Sequence, residues 1–297
     1  METVKSCLEE KTKLLKDNSI TTPRLEARLL LAKAVNKDLN WTYLNLEKKI
    51  SKKKLSKYKI LIEKKLKKFP TAYLLGYKEF YSMNFKVNKN TLIPRPETEI
   101  IIEEIKKNFQ NEKKFSVLDL GTGTGCILLS ILREFRNARG IGIDKNLETI
   151  KMANINSKKN NLLKRAKFIT SDWNQKNFFK KILNVNKKFN GHEKFDLVVS
   201  NPPYLLKNEM KKLIPEVTYE PKESLYDNED GLSFYKRVLP EINSILSKNS
   251  YSYFEINPKS LKNIEKICKN NNFHNFEYIN DLSRKKKICF NKKLINS

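Results

Sequence analysis

Histidine and cysteine are scarce in this chain of 297 residues, which has two histidines and four cysteines. The cysteines lie far apart and form no C-x-x-C pair; they are Cys7, Cys126, Cys268 and Cys289. This spacing predicts neither a disulfide framework nor a zinc site, so a reducing cytoplasm is expected. With only His192 and His274 available, neither a histidine-based triad nor a metal cluster is expected.

Long apolar runs are absent as well. No stretch approaches the roughly 20 apolar residues that a membrane helix needs, and the first residues lack the apolar core of a signal peptide. Hydrophobic residues nevertheless make up 39% of the chain, which is typical of a globular protein. The length suits one large domain or two modest ones. We therefore expect a globular cytoplasmic protein without a membrane partner.

Acidic residues are few beside basic ones, 33 Asp and Glu against 60 Lys and Arg, and the formal net charge is +27. Such a charge attracts RNA, DNA or the ribosome. Alternatively, Lys, Asn and Ile are abundant because the coding sequence is rich in A and T, and the lysines are indeed scattered along the whole chain. We favour this second interpretation. It predicts weak, non-specific polyanion binding and no specific nucleic-acid partner.

Residues 196–204 read as an apolar strand that ends in Asn201-Pro202-Pro203-Tyr204, which we call the clamp. Because Asn201 precedes a proline, its backbone is held extended, and its amide oxygen can accept one N–H. The carbonyl of Pro202 can accept a second N–H. Tyr204 supplies an aromatic face against which a flat group can pack. Two acceptors and an aromatic wall predict a site for a planar NH2 group, in an amide or an exocyclic amine.

A glycine-rich turn lies 80 residues upstream, where the strand pattern 116–120 runs into Gly121-Thr122-Gly123-Thr124-Gly125 and then into an apolar helix. We call this turn the glycine loop. A strand, a glycine turn and a helix in that order let backbone N–H groups approach a nucleotide-like ligand closely. The G-x-G-x-G spacing resembles motif I of S-adenosylmethionine-dependent methyltransferases.

Acidic residues follow the next two predicted strands. Residues 139–144 end at Asp144, whose carboxylate is expected to accept both ribose hydroxyls of a nucleotide; a helix N-cap is its alternative role. After the strand at 166–170, Asp172 can accept from an adenine amino group, and Trp173 either covers the ring or is a core aromatic. The order of these features predicts an α/β protein with a doubly wound, Rossmann-like sheet of the class I methyltransferase type.

The first 69 residues have the pattern of a separate helical unit, with one helix after Pro23 and a second over about 51–68. Residues 79–93 alternate and predict a β-hairpin that turns at residues 88–90.

Two segments of the remaining chain have open roles. In the block 92–99, Leu-Ile-Pro-Arg-Pro-Glu-Thr-Glu, Arg95 is expected either to approach the substrate or to pair with Glu97 or Glu99. The lysine-rich residues 176–194 are expected to form a surface loop.

These motifs, taken in their order, resemble the bacterial release factor glutamine methyltransferases of the PrmC or HemK type. The resemblance covers nearly the whole chain and rests on residues 22–27, 70–76, 92–99, 121–125, 201–204, 219–221 and 230–235. The chain departs from the family twice. Asn257 follows Glu255-Ile256 where the family tends to have glycine, and the final turn at residues 281–284 also lacks one.

The resemblance implies transfer of a methyl group from S-adenosyl-L-methionine to the glutamine of the Gly-Gly-Gln motif in class I peptide chain release factors, which gives N5-methylglutamine. It implies a helical substrate-recognition domain at 1–73, a β-hairpin linker at 74–95 and a methyltransferase domain at 96–297. Asn201 and Pro202 would be catalytic, and Asn201, Pro202, Pro203 and Tyr204 would bind the substrate. The implied cofactor-binding residues are Gly121, Thr122, Gly123, Thr124, Gly125, Asp144, Asp172, Trp173 and Asn201.

Three other functions remain open at this point. An adenine-N6 methyltransferase of DNA or RNA uses the same clamp, because the adenine amino group is also planar with two N–H donors. No separate target-recognition domain is evident, however, and the block at 94–99 favours a protein substrate. A methyltransferase for glutamine in a ribosomal protein shares the clamp and much of the scaffold. A non-catalytic binding module has no use for an intact clamp.

Overall fold

The computed structural model describes residues 2–110, 113–227, 229–271, 273, 276–281 and 285–293, the last five of these by their backbone alone. His274 and residues 282–284 of the final turn lie outside this part of the chain. The chain divides into two compact units. The helical unit comprises Met1–Tyr77 and Leu213–Tyr219, and the sheet unit comprises Lys78–Lys212 and Glu220–Ser297. The predicted domain limits at 73 and 95 stay predictions.

The helices of the described residues are α1 (Val4–Asp17), α2 (Pro23–Val35), α3 (Trp41–Leu44), α4 (Lys52–Leu66), α5 (Thr71–Leu75), α6 (Ile100–Asn108), α7 (Cys126–Glu134), α8 (Leu147–Lys159), α9 (Phe178–Asn190), α10 (Lys207–Met210), α11 (Ser233–Ile245) and α12 (Leu261–Asn270). Short 3-10 helices span Pro96–Glu99, Pro215–Tyr219, Lys222–Ser224 and Pro258–Ser260. The strands are β1 (Tyr77–Phe80), β2 (Met83–Lys86), β3 (Ser116–Leu120), β4 (Arg139–Asp144), β5 (Ala166–Thr170), β6 (Phe195–Ser200), β7 (Leu246–Glu255), β8 (Phe276–Asn280) and β9 (Lys286–Lys293).

In the helical unit, α1, α2 and α4 pack around one apolar core. Pro23 occupies the first turn of α2, where its missing N–H leaves no bond unmade. Tyr58 of α4 is buried and donates its hydroxyl to the carbonyl of Ala27 in α2 at 3.0 Å, so the polar end of this large ring is satisfied inside the core. The later segment Leu213–Tyr219 belongs to the same unit, because the Tyr219 hydroxyl donates to the Lys67 carbonyl at 2.8 Å.

A buried cation joins this segment to the helices. The side chain of Lys65 in α4 is 1% exposed, and its Nζ lies 2.8 Å from Glu216 Oε1 and 3.4 Å from Glu26 Oε1. The same Nζ donates to Thr71 Oγ1 at 2.8 Å. All three protons of the ammonium group thus have oxygen neighbours, which is the condition for burying a charge without a large penalty.

Replacing Lys65 by alanine is expected to lower the free energy of unfolding of the helical unit by about 2–3 kcal/mol, since both carboxylates lose their cation. The matched control is the exposed Lys64→Ala on the same helix, for which a change within about 0.5 kcal/mol is expected. Urea unfolding followed by circular dichroism measures both variants. Equal free energies of unfolding for the two variants would show that the ion pairs of Lys65 contribute nothing to stability.

The sheet unit is built on a sheet of seven described strands in the order β5-β4-β3-β6-β7-β9-β8. The first five of these run parallel, and β9 is antiparallel to both β7 and β8. The strand order reverses between β3 and β6. From β3 the chain adds β4 and β5 on one side, and it then returns to add β6 and β7 on the other. This is the doubly wound topology that the sequence predicts.

Helices cover both faces of this sheet, and each face has its own apolar core. Successive side chains of a strand point to opposite faces. Accordingly, Val117 of β3 joins one core with α6, α7 and α8, and Leu118 joins the other with α9, α11 and α12. Both residues are fully buried. No helix in the described part of the chain is both long enough and apolar enough to cross a bilayer.

Two predicted features of this unit are wrong in detail. The hairpin of β1 and β2 turns at Tyr81-Ser82, which adopt left-handed φ angles of 49° and 53°, and not at residues 88–90. The lysine-rich residues 176–194 do not form a loop, because most of them lie in α9. That helix buries Phe178, Phe179 and Ile182 against the sheet and turns its lysines outward.

Candidate active site

A cavity of about 550 Å³ opens where β3, β4, β5 and β6 end, a volume within the range of small-ligand sites. Each strand contributes residues just beyond its last position. The glycine loop follows β3, Asp144 ends β4, Asp172 and Trp173 follow β5, and Asn201 follows β6. Ligands of open α/β sheets bind at this edge, next to the reversal of strand order.

Four of the five glycine-loop residues line the cavity: Gly121, Thr122, Gly123 and Thr124. Gly125 does not; it is the N-cap of α7 and lies against the ring of Phe168. The loop is held from behind by Asn156 of α8, whose fully buried Nδ2 donates to the Thr124 carbonyl at 2.9 Å. Sequence reasoning missed Asn156, since no local pattern marks it.

Asp144 is fixed at the rim of the cavity by backbone donors. Its Oδ2 accepts from the N–H of Gly123 at 3.2 Å, and its Oδ1 accepts from the N–H of Asn146 at 2.9 Å. Each oxygen keeps a further lone pair for a ligand hydroxyl. Burial raises the pKa of Asp144 above its ordinary value. The N-cap of α8 is Asn146, so the alternative role for Asp144 is excluded.

A second carboxyl group lies beneath the glycine loop. Asp119 of β3 is fully buried, its Oδ2 accepts from the Thr122 hydroxyl at 2.6 Å, and its Oδ1 has no partner among the described residues. Burial raises the pKa of Asp119 to about 7.

The raised pKa of Asp119 predicts an unusual dependence of stability on pH. Between pH 3.8, the ordinary value, and about 7, the folded chain holds a proton that the unfolded chain has released. Its contribution to stability is therefore largest below pH 3.8 and falls as pH rises to 7, by at most about 1.4 kcal/mol per unit. Urea unfolding of the wild type and of Asp119→Asn from pH 5 to 8 measures how this contribution to the free energy of unfolding changes. The difference between the two chains should change with pH, and parallel curves would contradict the assignment.

Asp172 and Trp173 both line the cavity, and their contacts with adenine stay predictions. Asp172 Oδ1 accepts from the N–H of Asn174 at 2.8 Å, which fixes the carboxylate at the start of its loop. The Trp173 ring packs edge-on against Phe234 with centroids 5.3 Å apart and lies beside Gly121. One part of the Trp173 ring therefore packs in the core, and another part forms the cavity wall.

Within the clamp, Asn201 and Pro203 line the cavity, whereas Pro202 is buried and Tyr204 half-buried, and neither is part of the cavity wall. Asn201 Nδ2 donates to Thr98 Oγ1 at 3.1 Å. Among the described residues, no group donates to Asn201 Oδ1 or to the Pro202 carbonyl. The two predicted acceptors therefore have no competing donor within that part of the protein.

The Tyr204 ring is held by charged neighbours. Its hydroxyl donates to Glu255 Oε1 at 2.7 Å, and Lys287 Nζ lies 4.6 Å from the ring centroid. Burial, followed by the nearby carboxylate of Glu255, raises the pKa of Tyr204 well above its ordinary value. The hydroxyl is therefore a permanent donor at neutral pH.

Arg95 pairs with neither Glu97 nor Glu99. Its Nη2 lies 2.6 Å from Oε1 of the buried Glu220, whose Oε2 accepts from the N–H of Ile93 at 2.9 Å. Arg95 also lines the cavity, so one side chain braces the block 92–99 and faces the site. The structure shows no group of three or more metal-ligating side chains within the residues it describes.

Comparisons with known proteins agree with this geometry. Residues 6–76 match the family described as PrmC N-terminal domain, and residues 111–293 match the family described as Methyltransferase domain. The release factor glutamine methyltransferase of Caulobacter vibrioides is 33% identical over 91% of this chain and 89% of its own length. The chain belongs to the release factor glutamine methyltransferase family. The predicted family is thereby confirmed.

Longer relatives share the same region. A bifunctional methyltransferase of Rickettsia bellii is 34% identical over 89% of this chain, and the chain spans about half the length of that protein. Among solved structures, a methyltransferase from Pyrococcus furiosus is 16% identical and covers 81% of this chain and 99% of its own, with a TM-score of 0.52. This likeness concerns the fold alone, and it confirms the predicted class I methyltransferase architecture.

The methyltransferase domain takes S-adenosyl-L-methionine as its cofactor. The residues of the cavity fit that molecule. A carboxylate with free lone pairs suits a ribose diol, an aromatic ring suits a base, and the glycine loop brings backbone close to the ligand. These features are Asp144, Trp173 and residues 121–124, which all line the cavity.

Proposed function

We propose that this chain methylates the side-chain amide nitrogen of a glutamine in class I peptide chain release factors, at the Gly-Gly-Gln motif. The observation that carries the proposal is the orientation of Asn201, whose Nδ2 is bonded to Thr98 while its Oδ1 stays available at the cavity wall. A site that offers an acceptor suits a substrate with an N–H donor. The family membership supports a protein glutamine as that substrate.

The clamp would act mainly by orientation. Asn201 Oδ1 and the Pro202 carbonyl would accept the two N–H groups of the glutamine amide, so that the nitrogen lone pair is directed at the methyl donor. The bound cofactor supplies a methyl group that its sulfonium already activates. Holding two reacting atoms in line removes much of the entropic part of the barrier.

The same acceptors would stabilise the charge that develops during the reaction. An amide nitrogen becomes positive as it takes up a methyl group, and two oxygen atoms aimed at its N–H groups favour that charge. No histidine lines the cavity within the described residues, and the clamp itself contains no base. We infer that the methylated amide releases its proton to water. For the proposed cofactor contacts, Asp144 would take the ribose, and Asp172 and Trp173 the adenine.

The test is mass spectrometry of a class I release factor after incubation with this chain and S-adenosylmethionine. A gain of one methyl group on the motif glutamine is expected, and a release factor carrying Gln→Glu at that position, which lacks the amide, should gain none. DNA and RNA are treated in parallel. Methylated adenine with an unchanged release factor would overturn the proposal and give the chain's positive charge a functional role.

A further inference from the structure

One buried carboxylate contacts the clamp by two routes. Glu255 ends β7 and is 1% exposed. Its Oε1 accepts directly from the Tyr204 hydroxyl at 2.7 Å. Its Oε2 accepts from the Thr98 hydroxyl at 2.6 Å, and Thr98 Oγ1 accepts in turn from Asn201 Nδ2 at 3.1 Å. We call the series Glu255–Thr98–Asn201 the amide relay.

The relay has a direction because each hydroxyl has a single proton. A carboxylate can only accept, so the Thr98 proton goes to Glu255. The Thr98 oxygen then has only lone pairs to offer Asn201, and of the two ends of the Asn201 amide only the NH2 group can bond to it. The amide oxygen must therefore be the end that is left for the cavity.

A cation supports the carboxylate at the start of the relay. Lys287 Nζ lies 3.1 Å from Glu255 Oε1 and donates to the Tyr204 hydroxyl at 2.9 Å, and its side chain is 16% exposed. Three donors therefore surround the carboxylate, the hydroxyls of Thr98 and Tyr204 and the ammonium group of Lys287, so both of its oxygens act as acceptors. Lys287 thus favours the arrangement in which Thr98 donates to Glu255 and accepts from Asn201.

We propose that Thr98 and Glu255 are positioning residues that set the hydrogen-bonding polarity of the clamp. This inference rests on the proposed function and deepens it. Without the carboxylate, the Thr98 proton is free to bond to Asn201 Oδ1, and the amide turns round. The clamp then presents an NH2 group to the NH2 group of the substrate, two donors that repel each other.

The first test compares Thr98→Val with Thr98→Ser. Valine matches threonine in shape but cannot bond to Asn201, so kcat is expected to fall about 30-fold while the Kd for S-adenosylhomocysteine is unchanged. Serine keeps the hydroxyl and should retain kcat within about threefold. Thr91→Val, which removes another buried hydroxyl outside the relay, is the control for lost stability.

A double-mutant cycle separates positioning from a general structural effect. If Thr98 acts through Asn201, Thr98→Val should change the residual rate of an Asn201→Ala chain by less than about twofold. Glu255→Gln provides a second variant. The NH2 group of the new glutamine can donate to Thr98, and the Thr98 hydroxyl is then free to donate to Asn201 Oδ1. The kcat of this variant is expected to fall about tenfold.

A readout without substrate tests the relay even when no methyl transfer is measured. In nuclear magnetic resonance, the Asn201 side-chain NH2 protons should exchange slowly with solvent in the wild type and in Thr98→Ser, and quickly in Thr98→Val. Fast exchange in all three chains, or an equal loss of kcat from Thr98→Val in both backgrounds, would overturn the inference. A wild-type chain that is inert toward release factors while its exchange pattern holds contradicts the proposed function alone.

Discussion

Replacing Asn201 by alanine is expected to lower kcat for methyl transfer about 1,000-fold while the Kd for S-adenosylhomocysteine changes less than about threefold. In the proposed function, the substitution removes the acceptor that would orient the substrate nitrogen and stabilise its developing charge. The proposed cofactor contacts are spread over the glycine loop, Asp144 and Trp173, which all line the cavity, so losing one further side chain should cost little binding. Single-turnover methyl transfer and calorimetric titration measure the two quantities.

The matched control for this variant is Asn154→Ala, which removes an exposed asparagine in the middle of α8. Its kcat should equal that of the wild type. If Asn201→Ala turned over at a rate near that of Asn154→Ala, Asn201 would have no part in the chemistry, and the clamp would be only a structural turn.

The substitution Gly231→Ala is expected to lower kcat about 100-fold and to destabilise the sheet unit by about 2–3 kcal/mol. Gly231 has a φ of +73°, and an added Cβ would lie 2.7 Å from the backbone oxygen of Tyr204. Because the obstructing atom belongs to the main chain, no rotamer change relieves the clash. Tyr204 must move, and the clamp moves with it.

Gly191→Ala separates backbone strain at a positive φ from the clash of the added Cβ with the main chain. Gly191 has a similar φ of +75°, yet an added Cβ there would meet nothing within 4 Å. This variant should lose about 1 kcal/mol of stability through backbone strain alone and keep full kcat. Thermal unfolding and steady-state kinetics of both variants decide between them. Equal activity in the two chains would show that the clamp tolerates displacement at Tyr204.

The sequence predicts the sheet well because its strands are short, buried and clearly bounded. The bounds of β3, β4 and β5 agree with the predicted 116–120, 139–144 and 166–170. Each strand is an apolar run that ends at a glycine or near an acidic residue, and both kinds of residue interrupt the local pattern. The residues that follow these strands lie at one edge of the sheet and line the same cavity.

Local patterns were misleading in two segments. Lysines dominate the composition of residues 176–194 and hide the apolar spacing of Phe178, Phe179 and Ile182, which is helical. In the hairpin, Asn88 and Asn90 are typical turn residues, whereas the turn that forms uses Tyr81 and Ser82 in a left-handed conformation that such side chains adopt rarely.

The remaining features depend on partners that lie far away in the sequence. The Thr98–Glu255 bond joins residues 157 positions apart, and the Arg95–Glu220 pair joins residues 125 positions apart. Periodicity reports the environment of one element, not which polar groups meet across a fold. For this reason the sequence of the block at 92–99 gives no sign that its threonine bonds to the clamp.

The return of Leu213–Tyr219 to the helical unit has a consequence for how the protein is made. Lys65 and its partner Glu216 are separated by 151 positions. A ribosome adds about 5–20 residues each second, so many seconds pass between the synthesis of the two residues. During this interval Glu26 is the carboxylate already available to Lys65. The helical unit therefore acquires its last segment only after the clamp has been synthesised. A fragment that ends before residue 213 would lack this segment and would be an incomplete folding unit.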